Sequence, residues 1–378
     1  MHMKKKILGY IKKMEIKKRF NIDETVFMYV LAVIIFIVAL GLAGWFGWNY
    51  FRGKDTEGTD YDISVQDIVK ENDCEFRRTL DGACVENEKD INPKLVAVMI
   101  ENHPDSRPQS GLSQARVVYE APVEANYSRF MAIYPVGKEV LKVGPVRSSR
   151  EYYLDWLSEY GDIMYMHVGG SPRSLALIKE YGLFDLNEFY RGWYYWRSED
   201  RSAPHNVYTS SNLWEKAWED YGDSEQLTIN NEQNKQEVNW QFGEREKCEE
   251  DCVDEFTVSF LPPTYEATWK FNTSTGKYER YQMGYPHLDK DGGLIEADNV
   301  IIQYVKTSVY DAVGRISMET IGEGEAIVFR DGFMIPAQWY KGSREDKLEL
   351  RDVDFYEMIF KPGKIWIEVV NQHGSVSF

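Results

Sequence analysis

Two segments of the chain bring arginine, serine and glycine together where a helix is predicted to begin. They are GPVRSSREYYLDW, residues 144–156, and DIMYMHVGGSPRSLALI, residues 162–178. The N-terminus of a helix has free backbone N–H groups and a partial positive charge, so it can bind an anion. Arg147, Arg150 and Arg173 add full positive charges beside the two starts. We therefore expect an anion-binding site if the two helix starts converge.

His167 ends the predicted strand of the second segment, just before Gly169 and Gly170. Ligands of α/β sheets collect at the carboxyl ends of strands, beside the N-terminus of the next helix. A histidine there can donate a proton, accept one or anchor a ligand. His167 is a candidate catalytic residue, and Gly169, Gly170 and Ser171 are candidates for ligand binding. The alternative is a half-buried histidine bonded to a backbone carbonyl group.

Glu120 and Glu124 form a second candidate catalytic pair. Residues four apart in an extended strand face the same way, and Pro122 between them disfavours a helix. Two neighbouring carboxylates can hydrolyse a glycosidic bond, one as acid and the other as base or nucleophile. Buried charges need partners, so both can instead be counter-ions. The candidate partners in that case are Arg107, Arg129, Arg147 and Arg150.

The polar loop ENHPDSRPQSGLSQA, residues 101–115, directly follows a predicted strand. Its candidate ligand-binding residues are Asn102, Arg107, Gln109 and Ser110. The guanidinium group of Arg107 can bind a carboxylate or phosphate through two hydrogen bonds. The alternative is that the two prolines of the loop only stiffen a turn.

His205 lies in the proline-containing loop RSAPHNVY, residues 201–208, and loops on a rigid scaffold often present binding groups. The alternative is an ordinary surface histidine. The remaining candidates for ligand binding are Arg129, Arg147, Ser148 and Arg150. The sequence has no Gly-x-Ser-x-Gly elbow, Walker loop or His-Glu-x-x-His pattern, which removes support for several hydrolase and nucleotide-binding mechanisms. We predict no metal and no cofactor.

These residues must be positioned by strands and short helices. Three predicted strands are KLVAVMIEN, RVVYEAPVEA and SRFMAIYPV, and DIMYMHV is a fourth. Ser148 with Glu151 predicts a capping box for the first helix, and Ser171 with Pro172 predicts the start of the second.

Beyond residue 255 the pattern is almost entirely that of β-strands. The predicted strands are FTVSF, YEATWKF, KYERYQM, NVIIQYVKTSV, EAIVF, FMIPAQWY and KIWIEVV. They predict a compact sandwich or barrel-like module. The expected fold class is α+β, with an N-terminal mixed α/β domain followed by a mainly β C-terminal domain, after one N-terminal transmembrane helix.

The run Val26–Phe46 is free of charge and is long enough to cross a bilayer as a helix, which takes about 20 residues. Basic residues dominate before it, which places the N-terminus in the cytoplasm and the bulk of the chain outside the cell membrane. A cleaved signal peptide is the alternative. The predicted parts are residues 1–25, a cytoplasmic basic tail; 26–48, a transmembrane helix; 49–92, a stalk; 93–221, the N-terminal α+β domain; 222–255, an acidic connector; and 256–378, the β-rich domain.

The net charge is −17 for the whole chain and +5 for the first fifty residues, so the remainder carries −22. Such an acidic surface argues against a nucleic-acid partner. The cysteines form two close pairs, Cys74 with Cys84 and Cys248 with Cys252. In an oxidising compartment these spacings predict two local disulfides. A zinc site would need two more ligands near each pair, and the sequence offers none.

Several motifs in order resemble the YerB-like family of extracytoplasmic bacterial proteins, over residues 92–372. They are VMIENHPDSRPQSGL, VVYEAPVE, SRFMAIY, VGPVRSSR, HVGGSP, APHN, RYQMGYPH, ADNVIIQYV, GEGEAIVFRDG and KPGKIWIEV. Members are usually lipoproteins, and this chain departs from that pattern because no cysteine follows its apolar run. The resemblance implies a two-domain envelope protein without a settled activity. The matching polar positions are Asn102, Arg107, Gln109, Ser110, Glu120, Glu124, Arg129, Arg147, Ser148, Arg150, His167 and His205.

Three functions are compatible with these observations. The first is a membrane-anchored protein that binds an anionic cell-envelope ligand, such as a peptidoglycan peptide or a phosphorylated glycan. The second is a cell-wall glycan hydrolase or lyase that uses Glu120 or Glu124 with His167. The third is a scaffold that docks a membrane-protein partner through the β-rich domain. The expected partners are therefore an envelope ligand or glycan, the membrane itself, and in the third case another membrane protein.

Overall fold

The computed structural model describes residues 74–222, 240–245, 247–250, 252–371 and 375–378. The predicted tail, transmembrane helix and most of the stalk lie outside the described residues. The chain divides into two units, Met1–Ser64 and Val65–Phe378, and all described residues belong to the second. No helix within these described ranges is both long and apolar enough to span a bilayer.

The helices of the described part are α1 Glu151–Ser158, α2 Pro172–Glu180, α3 Glu188–Arg191 and α4 Ser211–Tyr221. The strands before α4 are β1 Phe76–Arg77, β2 Cys84–Val85, β3 Leu95–Glu101, β4 Val117–Pro122, β5 Ser128–Pro135, β6 Met164–His167, β7 Phe184–Asn187, β8 Trp196–Arg197 and β9 Val207–Tyr208. The strands after it are β10 Gln241–Phe242, β11 Glu255–Leu261, β12 Tyr265–Asn272, β13 Lys277–Gln282, β14 Tyr285–Pro286, β15 Glu296–Ala297, β16 Asn299–Val305, β17 Thr307–Val309, β18 Ile316–Met318, β19 Gly322–Arg330, β20 Phe333–Lys341, β21 Glu349–Asp352, β22 Ile359–Phe360, β23 Ile365–Asn371 and β24 Ser375–Ser377.

The central element is a ten-stranded sheet in the order β21-β20-β19-β16-β23-β4-β5-β3-β6-β7. Five of its strands come from each half of the chain, and the halves meet where β23 pairs in parallel with β4. The β-rich character of the C-terminal half is confirmed. The prediction of a self-contained sandwich or barrel is wrong, because β16, β19, β20 and β23 complete the sheet of the N-terminal half.

The strands β3, β6, β7, β4, β23 and β16 all run in one direction. The pairs β3–β6, β6–β7, β4–β23 and β16–β23 are parallel, and β5 lies antiparallel between β3 and β4. The carboxyl ends of β3, β4 and β6 therefore lie at one border, which we call the carboxyl edge. This arrangement is the one expected to gather ligand-binding residues in such sheets.

The two faces of the ten-stranded sheet are covered differently. On one face α1 packs its aromatic residues, and the rings of Tyr119 and Trp156 stack with centroids 5.3 Å apart. On the other face lies the six-stranded sheet β14-β13-β12-β11-β24 with β15 at its side, where Trp269 contacts Trp366 at 5.3 Å. Because side chains alternate along a strand, Glu120 points between the two sheets while Tyr119 points toward α1.

The helix starts differ in how they are capped. Ser171 accepts a hydrogen bond from the Ser174 N–H at 3.1 Å, and Pro172 is the first residue of α2, as the sequence predicts. At α1 the N-cap residue is Arg150 and no side chain caps the helix, so the predicted Ser148–Glu151 capping box is wrong. Both predicted disulfides, Cys74–Cys84 and Cys248–Cys252, are confirmed.

Candidate functional site

The two predicted helix starts do converge at the carboxyl edge. The Val168 N–H donates to the Arg147 carbonyl at 3.0 Å, and the Ser149 N–H donates to the Gly169 carbonyl at 2.9 Å. A further backbone bridge joins Ser149 to Gly170. The expected meeting of residues 147–150 and 167–171 is therefore present in the fold.

The chain supplies its own anion at the start of α2. The Ser171 hydroxyl donates to a carboxylate oxygen of Glu151 at 2.8 Å, and Glu151 is the first residue of α1. A carboxylate at the N-terminus of a helix interacts favourably with its partial positive charge. A carboxylate of the neighbouring helix is thus bonded to the N-cap residue of α2.

Arg150 and Glu124 form a two-point ion pair. Arg150 Nε and Nη2 each donate to one oxygen of Glu124 at 2.7 Å. Burial alone would raise the pKa of Glu124, but the hydrogen bond and the charge of Arg150 together lower it. The arrangement is the ion-pair alternative for Glu124, not a free carboxylate facing a substrate.

Arg129 and Arg147 also have partners. Arg129 Nη1 donates to the Ser148 carbonyl oxygen at 2.6 Å, and burial together with the charge of Arg150 lowers its pKa to about 10. Arg147 Nε lies 2.8 Å from Glu101 Oε1 as an ion pair, although its N–H makes no hydrogen bond within the described residues. These arginines therefore hold the carboxyl edge together.

His167 is fully buried at the end of β6. Its Nδ1 lies 2.7 Å from the Gly169 carbonyl oxygen and its Nε2 lies 2.7 Å from Asp185 Oδ1. The ring is therefore held between a backbone carbonyl group and a carboxylate, both of which are hydrogen-bond acceptors. The contact with the Gly169 carbonyl group agrees with the alternative of a structural histidine. The side chain of His167 is completely buried, whereas that alternative expected half burial. Gly169 has φ +61°, and an added Cβ would lie 2.6 Å from Phe189.

Glu120 is fully buried and pairs with Arg280, which lies on β13 of the other half of the chain. Arg280 Nη2 donates to both carboxylate oxygens, at 3.0 and 2.8 Å. Ser128 Oγ and Asn102 Nδ2 donate to Oε1 at 2.6 and 3.3 Å. The expected partner arginine is thus present, but it is none of the four that the sequence suggested.

His287 extends this cluster to Gln109. Arg280 Nη1 lies 2.7 Å from His287 Nδ1, and because arginine only donates, Nδ1 accepts and the proton resides on Nε2. His287 Nε2 then donates to Gln109 Oε1 at 2.9 Å. Burial, followed by the charges of Arg280 and Arg107, lowers the pKa of His287 well below its ordinary value.

Glu368 stands directly beside Glu120, as its register partner on β23. Trp269 Nε1 donates to Glu368 Oε1 at 2.8 Å. Burial raises the pKa of Glu368 well above its ordinary value, and the charge of Glu120 raises it further. We use the term buried network for this set, whose members are Asn102, Gln109, Glu120, Ser128, Arg280, His287 and Glu368.

Arg107 borders the buried network and also links the halves. Its Nη2 donates to the Thr264 carbonyl oxygen at 2.9 Å, and its guanidinium group lies 5.1 Å from the ring centroid of Tyr265. Burial and the charge of Arg280 lower its pKa to about 10. Ser110 contributes through its backbone, which pairs with Gly144.

A row of aromatic rings lies beside the network at the carboxyl edge. His205 stacks on His103 with centroids 4.8 Å apart, and Tyr127 stacks on Tyr265 at the same distance. The edge contact of His103 with Tyr127, at 6.2 Å, joins the two stacks. We call His205, His103, Tyr127 and Tyr265 the aromatic strip. Tyr127 is 40 % exposed, and the buried hydroxyl of Tyr265 has no partner among the described residues.

Acidic groups lie along the strip. His205 Nδ1 lies 2.6 Å from Glu101 Oε2, and Asp105 is within 4.0 Å of both histidines. Sequence reasoning selected His205 but missed His103 and Asp105, although both lie in the polar loop of residues 101–115. The signal that could have found them is the His-Pro-Asp sequence directly after a buried strand.

Comparisons with known proteins cover both halves of the chain. A model of the N-terminal domain of a protein of unknown function (DUF3048) matches residues 80–224, and a model of the C-terminal domain matches residues 256–367. A protein of Bacillus subtilis (strain 168) named "Putative lipoprotein YerB" is 29% identical over 310 residues, which are 81% of this chain and 89% of that protein. The crystal structure of the YerB protein from Bacillus subtilis is similar with a TM-score of 0.68 and 28% identity, over 80% of this chain and 100% of that one.

Proposed function

The chain belongs to the DUF3048 family, and from that premise we propose that it is a membrane-anchored extracytoplasmic protein that binds an anionic cell-envelope ligand. The lipoprotein designation of the Bacillus subtilis relative supports the anchor. In this chain the uncharged run Val26–Phe46, with basic residues before it, supports a single transmembrane helix with a cytoplasmic N-terminus. The two disulfides support an oxidising compartment.

The observation that carries the ligand class is the aromatic strip at the carboxyl edge. Aromatic side chains offer a flat apolar face beside polar groups, which suits the C–H face of a sugar ring. Tyr127 is the most exposed tyrosine of the strip, and His103 beside it is 35% exposed at its side chain. This surface therefore supports a glycan or peptidoglycan fragment as the proposed ligand.

Arg107 supplies the charge for the anionic part of the ligand. Its Nη1 donates to the sulfur of Met283 at 3.5 Å, and a thioether is a weak acceptor. A carboxylate or phosphate is a stronger acceptor and would replace that contact. The guanidinium group is already oriented, because Nη2 donates to the carbonyl oxygens of Asn102 and Thr264, so little side-chain freedom is lost on binding.

The hydrolase alternative rests on Glu120, Glu124 and His167. Glu120 and Glu124 are paired with Arg280 and Arg150, and His167 is fully buried. These contacts favour structural roles for the three residues, so binding is the function that we propose. The scaffold alternative stays a prediction.

The test is binding of a purified disaccharide–peptide muropeptide to the purified full-length chain, measured by calorimetry. We expect Tyr127→Ala to weaken binding about five- to tenfold, because it removes one stacking face. Tyr190→Ala is the matched control, since Tyr190 is 76% exposed and lies outside the strip. A neutral N-acetylglucosamine oligomer of the same sugar length should bind more weakly than the muropeptide. Absence of binding by the wild type, or equal effects of the two tyrosine variants, contradicts the proposal.

A further inference from the structure

Two histidines and one aspartate lie close together at the end of the aromatic strip. His103, Asp105 and His205 each offer one nitrogen or oxygen atom, and these three atoms lie within 4.8 Å of one another. His103 Nδ1 is 3.6 Å and His205 Nε2 is 4.0 Å from Asp105 Oδ2. Both distances are too long for a direct hydrogen bond. His103 Nδ1 also accepts a hydrogen bond from the Asp105 backbone N–H at 3.2 Å, which a metal ion bound at Nδ1 would replace.

These separations are close to the distance between two ligand atoms that bind the same cation. Zinc binds histidine nitrogen and carboxylate oxygen at about 2.0–2.2 Å, so two ligands in tetrahedral geometry are about 3.4 Å apart. Small side-chain rotations would bring the three atoms to that spacing. Asp105 is 72% exposed at its side chain, so it can make such a rotation without disturbing the core.

The orientation of His205 is set by a second carboxylate. His205 Nδ1 donates to Glu101 Oε2 at 2.6 Å, which leaves Nε2 with its lone pair directed away from Glu101. Histidines that bind metals usually donate their other ring nitrogen to a carboxylate in this way. Glu101 is buried, and Arg147 holds its other oxygen. This contact fixes the ring of His205 independently of Asp105.

Two carboxylates lie beside the histidines. Glu101 is paired with Arg147 and also interacts electrostatically with Arg129. Asp105 supplies the negative charge on the solvent side, since its side chain is 72% exposed. Neither cysteine pair contributes, because all four cysteines are in disulfides.

We propose that His103, Asp105 and His205 bind one divalent transition-metal ion, with zinc as the ion that best matches two imidazoles and one carboxylate. Water completes the coordination, because three protein ligands leave at least one position open. The site does not depend on the proposed glycan binding, because it is tested with the metal alone.

The experiment is titration of zinc chloride into the purified full-length chain after removal of metals with a chelator, followed by calorimetry. We expect one equivalent to bind, with affinity lowered at least tenfold in His205→Ala and in Asp105→Asn. Glu101→Gln should lower affinity about 10- to 100-fold through the orientation of His205. Cobalt should give a visible absorption band in the wild type that His205→Ala loses.

Asp354→Asn is the matched control, because it makes the same charge change at an exposed aspartate outside the cluster. Thermal unfolding without metal checks that each variant is folded. If a variant is unfolded, His103→Gln is tested in its place. Wild-type protein that binds no stoichiometric zinc overturns the proposal. So does zinc affinity in the folded His103, Asp105 and His205 variants that equals the affinity of Asp354→Asn.

Discussion

The buried network and the aromatic strip use similar side chains, yet they occupy opposite environments at the same edge. Asn102 belongs to the first and His103 to the second, although they are neighbours in the chain. Inside, the charge of Glu120 has a partner from the other half of the molecule, Arg280. Outside, His103 and His205 are held by hydrogen bonds within one half of the chain, with the Asp105 backbone N–H and with Glu101, and the Asp105 side chain is 72% exposed. Burial therefore distinguishes the polar groups that join the halves from those that stay near solvent.

The largest effect should come from breaking the charge pair of the buried network. Arg280→Met leaves Glu120 buried without its counter-ion, which typically costs about 3–5 kcal/mol. Denaturant unfolding measures this loss. Lys306→Met is the control, because Lys306 and Glu319 form an ion pair that is more than 60% exposed, and such pairs contribute about 1 kcal/mol or less. Equal losses in the two variants would mean that the buried pair does not hold the halves together.

The next effect concerns the pH dependence caused by Glu368. Because its pKa is raised in the folded state, the unfolded chain releases this proton first, and stability falls as pH rises above the ordinary value of 4.5. Glu368→Gln removes this dependence. Its stability relative to wild type should rise by about 1.4 kcal/mol per pH unit until the folded pKa is reached. Denaturant unfolding of both proteins across pH 4.5 to 8 measures the difference in their free energies of unfolding. A difference that stays constant with pH would show that Glu368 is charged when buried.

The smallest effect should come from the partly buried pair of Glu124 with Arg150, whose side chains are 22% and 14% exposed. The pKa of Glu124 is lowered in the folded state, so its contribution is present above 4.5 and is lost as pH falls through the folded value. We expect Glu124→Gln to cost about 1 kcal/mol at pH 7. The two proteins should become equally stable once the pH lies below the folded pKa of Glu124. A loss as large as that of Arg280→Met would remove the distinction between fully and partly buried charges.

Local features of the fold could be predicted from the sequence. The apolar run before Asn102 predicts β3, and the serine–proline pair at residues 171 and 172 predicts the start of α2, because both depend on neighbouring residues only. The convergence of the two helix starts also follows from general rules on strand ends. The disulfides follow from short spacing.

Long-range partners could not be predicted. Arg280 is 160 residues from Glu120, and nothing local in either segment indicates that one faces the other. The pairing of β23 with β4 has the same origin, since an apolar strand such as KIWIEVV can join any sheet. His103 and Asp105 were missed for a different reason, because their link to His205 comes from the folding of two loops.

The position of β23 has a consequence for how the protein folds. This strand lies between β16 and β4 in the middle of the ten-stranded sheet, yet its residues 365–371 follow the other nine strands of that sheet in the chain. Until β23 pairs, one edge of β4 has no neighbour, and the sheet of the first half stays open to pairing with another chain. Completion of the sheet thus depends on β23, and a variant without residues 365–371 would lose its junction between the halves.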